Sequence, residues 1–165
     1  MITIEPITPE NAPTFKAARL RALQDTPTAF GSTYAKESQL TNADWVARAN
    51  NSNGEKSILY MAIENKAVIG IAGSYLDHDN PTQAHLISMW TAPTHRQQGI
   101  GRLLVEKIIS WASLRKAATL KLMVTSNNDS AAAFYRRLGF ALTSRTEPYP
   151  NDSALIENEM SRSLI

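Results

Sequence analysis

Apolar residues change their spacing several times along the chain, and each change predicts an element. Residues 2 to 5 alternate with the period of a short strand. Thr8-Pro9-Glu10 then offers an N-cap, a proline at the first helical position and an early acidic residue. A first helix is predicted from about Pro9 to Gln24, with Phe15, Ala18, Leu20 and Leu23 supplying its buried side. Pro27 and Gly31 break the helical period, so Asp25 to Ser32 is predicted to be a loop carrying Phe30. A second helical stretch, Tyr34 to Asn50, is broken near Thr41-Asn42 and gives way to the polar loop Asn50 to Gly54. From Ser57 the spacing becomes strand-like. Ile58 to Ile63, the turn Asn65-Lys66 and Ala67 to Leu76 predict a hairpin, and Gly70 and Gly73 predict a bulge or a close backbone approach in its second arm.

After the turn Asp77 to Pro81, Gln83 to Thr91 reads as a central strand that Pro93 ends. From about Gly99 to Lys116 the apolar residues Ile100, Leu104, Val105, Ile108, Ile109 and Ala112 recur at helical spacing, opposite Arg102, Glu106, Lys107, Ser110 and Ser113. Ala118 to Thr125 alternates again, which predicts a strand parallel to the previous one through a right-handed crossover. Asn127 to Ser130 caps a short helix, Ser130 to Leu138, that Gly139 closes. Two tail strands, Phe140 to Ser144 and Ala154 to Met160, are predicted on either side of the loop Glu147 to Asp152. The fold class is α/β, a mixed sheet, and the length of 165 residues predicts a single domain, 1–165.

Composition removes several function classes. The chain has no cysteine, which excludes disulfides, thiolate metal sites and a cysteine nucleophile. Its amino terminus lacks the pattern of a signal peptide and no apolar run is long enough to span a membrane, so a soluble, cytoplasmic protein is expected. Formal net charge is +2, with both signs interleaved, and no nucleic-acid partner is expected. His78 between two aspartates reads as a surface turn, and no grouping has metal-ligand spacing.

The candidate chemistry lies where the central strand meets the long helix. Arg96-Gln97-Gln98-Gly99-Ile100-Gly101 puts two glycines at the start of a helix, where free N–H groups and the positive dipole end suit an anion such as phosphate. It has neither the Lys-Ser/Thr of a P-loop nor the third glycine of a dinucleotide fingerprint. Downstream stand Leu120 to Val124, Asn128, Ala131, Tyr135 and Leu138-Gly139-Phe140.

In that order, the two blocks resemble the GCN5-related N-acetyltransferases (GNAT) over roughly residues 85 to 142. The resemblance implies a mixed, mostly antiparallel sheet with a splayed parallel pair and helices on both faces. It implies acetyl-CoA as co-substrate and direct acetyl transfer to a primary amine, of a small molecule or a protein. Met89, Trp90 and Thr91 would offer main-chain groups to the pantetheine arm and the acetyl carbonyl. Gln97, Gln98, Gly99, Ile100, Gly101 and Arg102 would cradle the pyrophosphate, and Asn128 would contact CoA. Tyr135 matches the family's general acid, and Phe30 and Tyr34 would shape the acceptor cleft. Where several relatives place a glutamate on the strand before Asn128, this chain has Met123, which leaves the base open among Glu37, carried as the first candidate, His85 and an ordered water, with Ser88 and Asp129 behind them. A homodimer is common in such proteins. A second reading, an acyl-CoA-binding sensor without turnover, is opposed by Tyr135. A nucleotide-binding protein of another fold lacks the acidic ribose partner.

Overall fold

A computed structural model describes all residues from Met1 to Ile165. The chain runs β1 (Ile2–Pro6), α1 (Ala12–Asp25), α2 (Tyr34–Glu37), α3 (Asn42–Asn51), β2 (Ser57–Glu64), β3 (Ala67–Leu76), β4 (Gln83–Thr91), α4 (Ile100–Leu114), β5 (Thr119–Thr125), α5 (Asp129–Arg137), β6 (Ala141–Tyr149) and β7 (Asp152–Ser163). All seven strands form one sheet in the order β1-β2-β3-β4-β5-β7-β6. Every neighbouring pair is antiparallel except β4 and β5, which the α4 crossover joins in parallel.

Both faces of the sheet are covered, and the alternation along β2 divides accordingly. Ile58, Tyr60 and Ala62 enter a core built on Ile100, Leu104, Val105 and Ile108 of α4. Leu59 and Met61 enter a second core with Phe15 of α1 and Trp45 of α3. Each core removes large apolar side chains from water, the dominant favourable term in folding. The strand register shifts beside both Gly70 and Gly73, as their spacing predicted, and a side chain at Gly73 would meet Leu59 Cδ2 at 2.5 Å.

Two boundaries differ from the sequence reading. Helix α1 begins at Ala12 and not near Pro9, because Thr8 and Asn11 close a turn on each other: Thr8 N donates to Asn11 Oδ1 at 2.7 Å and Asn11 N to Thr8 Oγ1 at 3.2 Å. The tail strands are longer than predicted, and only Pro150 and Asn151 separate them. Pro148 does not interrupt β6, because β6 is the edge of the sheet and a missing N–H there need not face a partner strand.

Candidate active site

β4 and β5 pair only at Gln83–Thr119, Ala84–Leu120 and His85–Lys121. Beyond these pairs β4 continues against β3 and β5 against β7, so the two facing edges carry main-chain N–H and C=O groups without strand partners. A cleft of about 660 Å³ opens there. In its β4 wall the register to β3 jumps between Trp90 and Ile87, and Ser88 adopts a left-handed φ of 59°. That strained turn is held from behind: Arg19 Nη1 donates to Ser88 Oγ at 2.8 Å.

At one end of the cleft lies the glycine turn. Gln97 and Gly99 have φ of 63° and 84°, and Gly99 is the left-handed N-cap of α4. No atom lies within 4 Å of where a Gly99 side chain would begin, so its backbone faces open space. Gly101 serves a different purpose, since a Cβ there would meet Phe134 Cζ at 3.0 Å and Met89 Cε at 3.1 Å. It lets α4 close on α5 and β4. Arg96 ties the turn to its surroundings, donating from Nε to the Thr91 carbonyl at 3.1 Å and forming an ion pair with Asp25. Asp25 also accepts from Trp90 Nε1 at 2.9 Å. Burial alone would raise the Asp25 carboxyl, but these donors hold it below the ordinary range.

The resemblance's site residues fall into two groups. Met89, Trp90, Thr91, Gln97, Gly99, Ile100, Gly101, Arg102, Asn128, Tyr135 and Phe30 all line the cleft. Trp90 contributes main chain, its ring being buried in the second core. Asn128 caps α5 by accepting from Ala131 N at 3.1 Å. Tyr135 is buried between Phe134 and Phe140, edge-on to both rings, and burial pushes its phenol well above its usual value. It is therefore protonated at neutral pH.

Three predicted residues are elsewhere. Tyr34 is exposed and lines neither this cleft nor the cavity beside it. The Gln98 side chain turns back to the Thr94 carbonyl at 3.3 Å, which leaves the turn only its main chain. Glu37 is the clear correction. Its oxygens accept from Arg19 Nε and Nη2 at 3.0 and 2.9 Å and from Arg48 Nη1 at 2.9 Å, and it does not line the cleft. Burial would raise this carboxyl, yet the bonds and charge of Arg19, with Arg48, hold it at about 2, too weak a base to take an amine's proton.

Other titratable and polar residues line the cleft itself. His85 lines the cleft at the point where the strands part, its Nε2 2.8 Å from Asp77 Oδ2 and its ring stacked on Tyr75 with centroids 4.8 Å apart. Glu157 and Thr125, paired across β7 and β5, line the same wall. Burial, then the neighbouring Glu147, raise the Glu157 carboxyl. The Thr125 hydroxyl is buried without a partner. Neither residue carries a local sequence signal, since only the β5–β7 register brings them to the cleft.

Residues 19–140 match the acetyltransferase (GNAT) family. The chain belongs to the GNAT acetyltransferases. It is thus an acetyl-CoA-dependent acetyltransferase. Its GNAT relatives include the ribosomal protein bS18-alanine N-acetyltransferase of Escherichia coli, 32% identical over 108 residues that make up 64% of this chain and 71% of that one. A peptidyl-lysine N-acetyltransferase of Salmonella typhimurium is 35% identical over 86 residues, 45% of this chain and 56% of the relative. The fold expected from the sequence is the GNAT fold observed: the PaiA N-acetyltransferase of Thermoplasma acidophilum, solved in complex with coenzyme A, superposes with a TM-score of 0.77 over 99% of both chains at 15% identity.

Proposed function

We propose that this acetyltransferase moves the acetyl group of acetyl-CoA directly onto a primary amine, with Tyr135 as general acid and His85 as general base. The observation that carries the reading is the split between β4 and β5, which opens a cleft lined by the glycine turn, Tyr135 and His85. The free N–H groups at the start of α4 would hold the pyrophosphate, and the unpaired edge of β4 the pantetheine amides, as an added strand would be held. Asn128 offers a side-chain hydrogen bond in the same wall.

The amine lone pair attacks the thioester carbon, the C–S bond breaks, and an amide and free thiol result. His85 takes the amine's proton on Nδ1, because Asp77 engages Nε2 and fixes the ring. Tyr135 gives its proton to the departing sulfur. Burial disfavours a free thiolate and a lasting phenolate alike, so proton donation accompanies bond cleavage and the phenol regains a proton from solvent as the products leave. Glu157 supplies negative charge that draws an ammonium into the cleft. The relatives that acetylate the alanine of ribosomal protein bS18 and peptidyl-lysine favour a protein or peptide amine as acceptor.

The experiment that tests the reading is thioester consumption with a panel of amines, beside a thermal-shift titration with acetyl-CoA. Acetyl-CoA at about a hundred times its Kd should stabilise the fold by about 2.7 kcal/mol. No shift and no consumption at millimolar concentrations would remove the proposal. Two variants refine it. Gly99→Val meets open space but a left-handed φ that costs a branched residue about 1–2 kcal/mol, so the turn should relax and the Kd for acetyl-CoA rise about tenfold by calorimetry. His85→Asn should lower kcat by about 10² without weakening acetyl-CoA binding. Unchanged turnover would return the base to water.

A further inference from the structure

One wall of the cleft is supplied by neither a strand nor a long helix. After α1 ends at Asp25 the chain passes through a single 3-10 turn, Pro27–Ala29, and reaches Thr33 before α2 begins. The turn lies beside both β4 and β5, so this segment bridges the two strands. Thr28, Ala29, Phe30 and Gly31 line the cleft from it, as does Pro150 from the turn between β6 and β7. Burial does little to hold the segment in place. Pro27, Thr28 and Ala29 are exposed, and only Phe30 is buried, its ring 4.6 Å from the Arg19 guanidinium.

Polar ties fix it at both ends instead. At its start, Asp25 accepts from Trp90 Nε1 and pairs with Arg96 of the glycine turn. At its far end, the Tyr149 hydroxyl lies 3.0 Å from the Pro27 carbonyl oxygen and 2.5 Å from that of Phe30, so one hydrogen is shared between two acceptors. Asn151 Nδ2 donates to the Ser32 carbonyl at 3.1 Å and to the Phe30 carbonyl at 3.3 Å. Tyr149 is 3% exposed yet belongs to neither apolar core, and its hydroxyl serves a segment 119 residues away in the chain. From Phe30 the contacts continue to the β4 wall, because the Arg19 that covers its ring also holds Ser88 in its left-handed turn.

We propose that Tyr149 is a positioning residue for acetyl transfer, its hydroxyl holding the bridging segment over the cleft so that the acceptor amine meets a wall already in place. The inference rests on the acetyl-transfer reading and adds to it a residue that does not itself line the cleft and acts through Pro27 and Phe30. Without the hydroxyl, Asn151 alone ties the far end of an exposed segment. The acceptor must then order that segment as it binds, a cost that falls on the acceptor and not on acetyl-CoA.

The test is Tyr149→Phe in the full chain, with an Ala-Ala-Ala peptide amide and Nα-acetyl-lysine methylamide as acceptors. The KM for whichever amine is acetylated should rise about threefold to tenfold, the worth of one hydrogen bond, while the Kd for acetyl-CoA by calorimetry stays within about twofold of wild type. A variant that was merely less stable would lose active molecules, lowering the apparent kcat and leaving both constants where they were. Hydrogen exchange supplies a readout without turnover: amides of residues 28 to 33 should exchange about tenfold faster in the variant, with those of α4 and α5 unchanged. Asn151→Ala, at an exposed turn, should move the same KM and the same amides, and it gives the answer if Tyr149→Phe fails to fold. An acceptor KM unchanged in both variants, or a rise matched by the Kd for acetyl-CoA, overturns the positioning role, as does unchanged exchange in the segment. A wild type that acetylates neither amine and shows no acetyl-CoA shift is a failure of the transfer reading, and exchange then still decides whether Tyr149 holds the segment.

Discussion

Tyr135→Phe is expected to lower kcat by about 10² to 10⁴ while acetyl-CoA affinity stays nearly constant, as measured by thioester consumption and calorimetry on the same preparation. The ring is wedged between Phe134 and Phe140, and phenylalanine keeps that packing, so the fold should tolerate the change. What disappears is a hydroxyl at the cleft wall whose environment keeps it protonated. A proton must still reach the sulfur, and bulk water is a poorly placed donor in a lined cleft. Full turnover in the variant would make Tyr135 a packing residue only.

Glu37→Gln is expected to destabilise the fold by about 3–5 kcal/mol at neutral pH, read from urea unfolding, because two guanidiniums lose the carboxylate they share. The effect should depend on pH with a definite sign. The Glu37 carboxyl is held at about 2 in the folded protein against an ordinary 4.5. A depressed carboxyl contributes stability that is present above its unfolded value and is lost as pH falls through its folded one. The gap between wild type and variant should therefore be full above pH 4.5 and shrink toward pH 2. A gap independent of pH would mean that shape at this position matters and charge does not. Since Arg19 also holds Ser88 at the cleft wall, the variant should lose turnover beyond what its stability explains.

What could be read from the sequence was what depends on neighbours in the chain. Pro93, the glycine pair and the helical spacing of Ile100, Leu104 and Ile108 are local signals, and they located the strand, turn and helix that frame the cleft. The interval from Asn128 to Tyr135 was legible for the same reason, since one helix carries both its cap and a tyrosine that lines the cleft. Glu37 misled because a carboxylate on a polar segment looks free until Arg19, eighteen residues away, is folded against it. Glu157 and Thr125 were invisible, since their meeting depends on register between strands far apart in sequence. The tail strands were shortened by reading the proline-bearing stretch Glu147 to Asp152 as a loop, when Pro148 is tolerated at the sheet edge, a position that local pattern does not record.

The strand order also has a consequence for how the molecule is made. β7 is the last strand of the chain, yet it lies between β5 and β6 and is the only strand that pairs with either along its length. During synthesis β1 to β4 can zip together in sequence order, whereas the β5 wall of the cleft must wait for residues 152 to 163. Until then β5 and β6 are bare edges, and a nascent or truncated chain ending before β7 is a candidate for clumping through them.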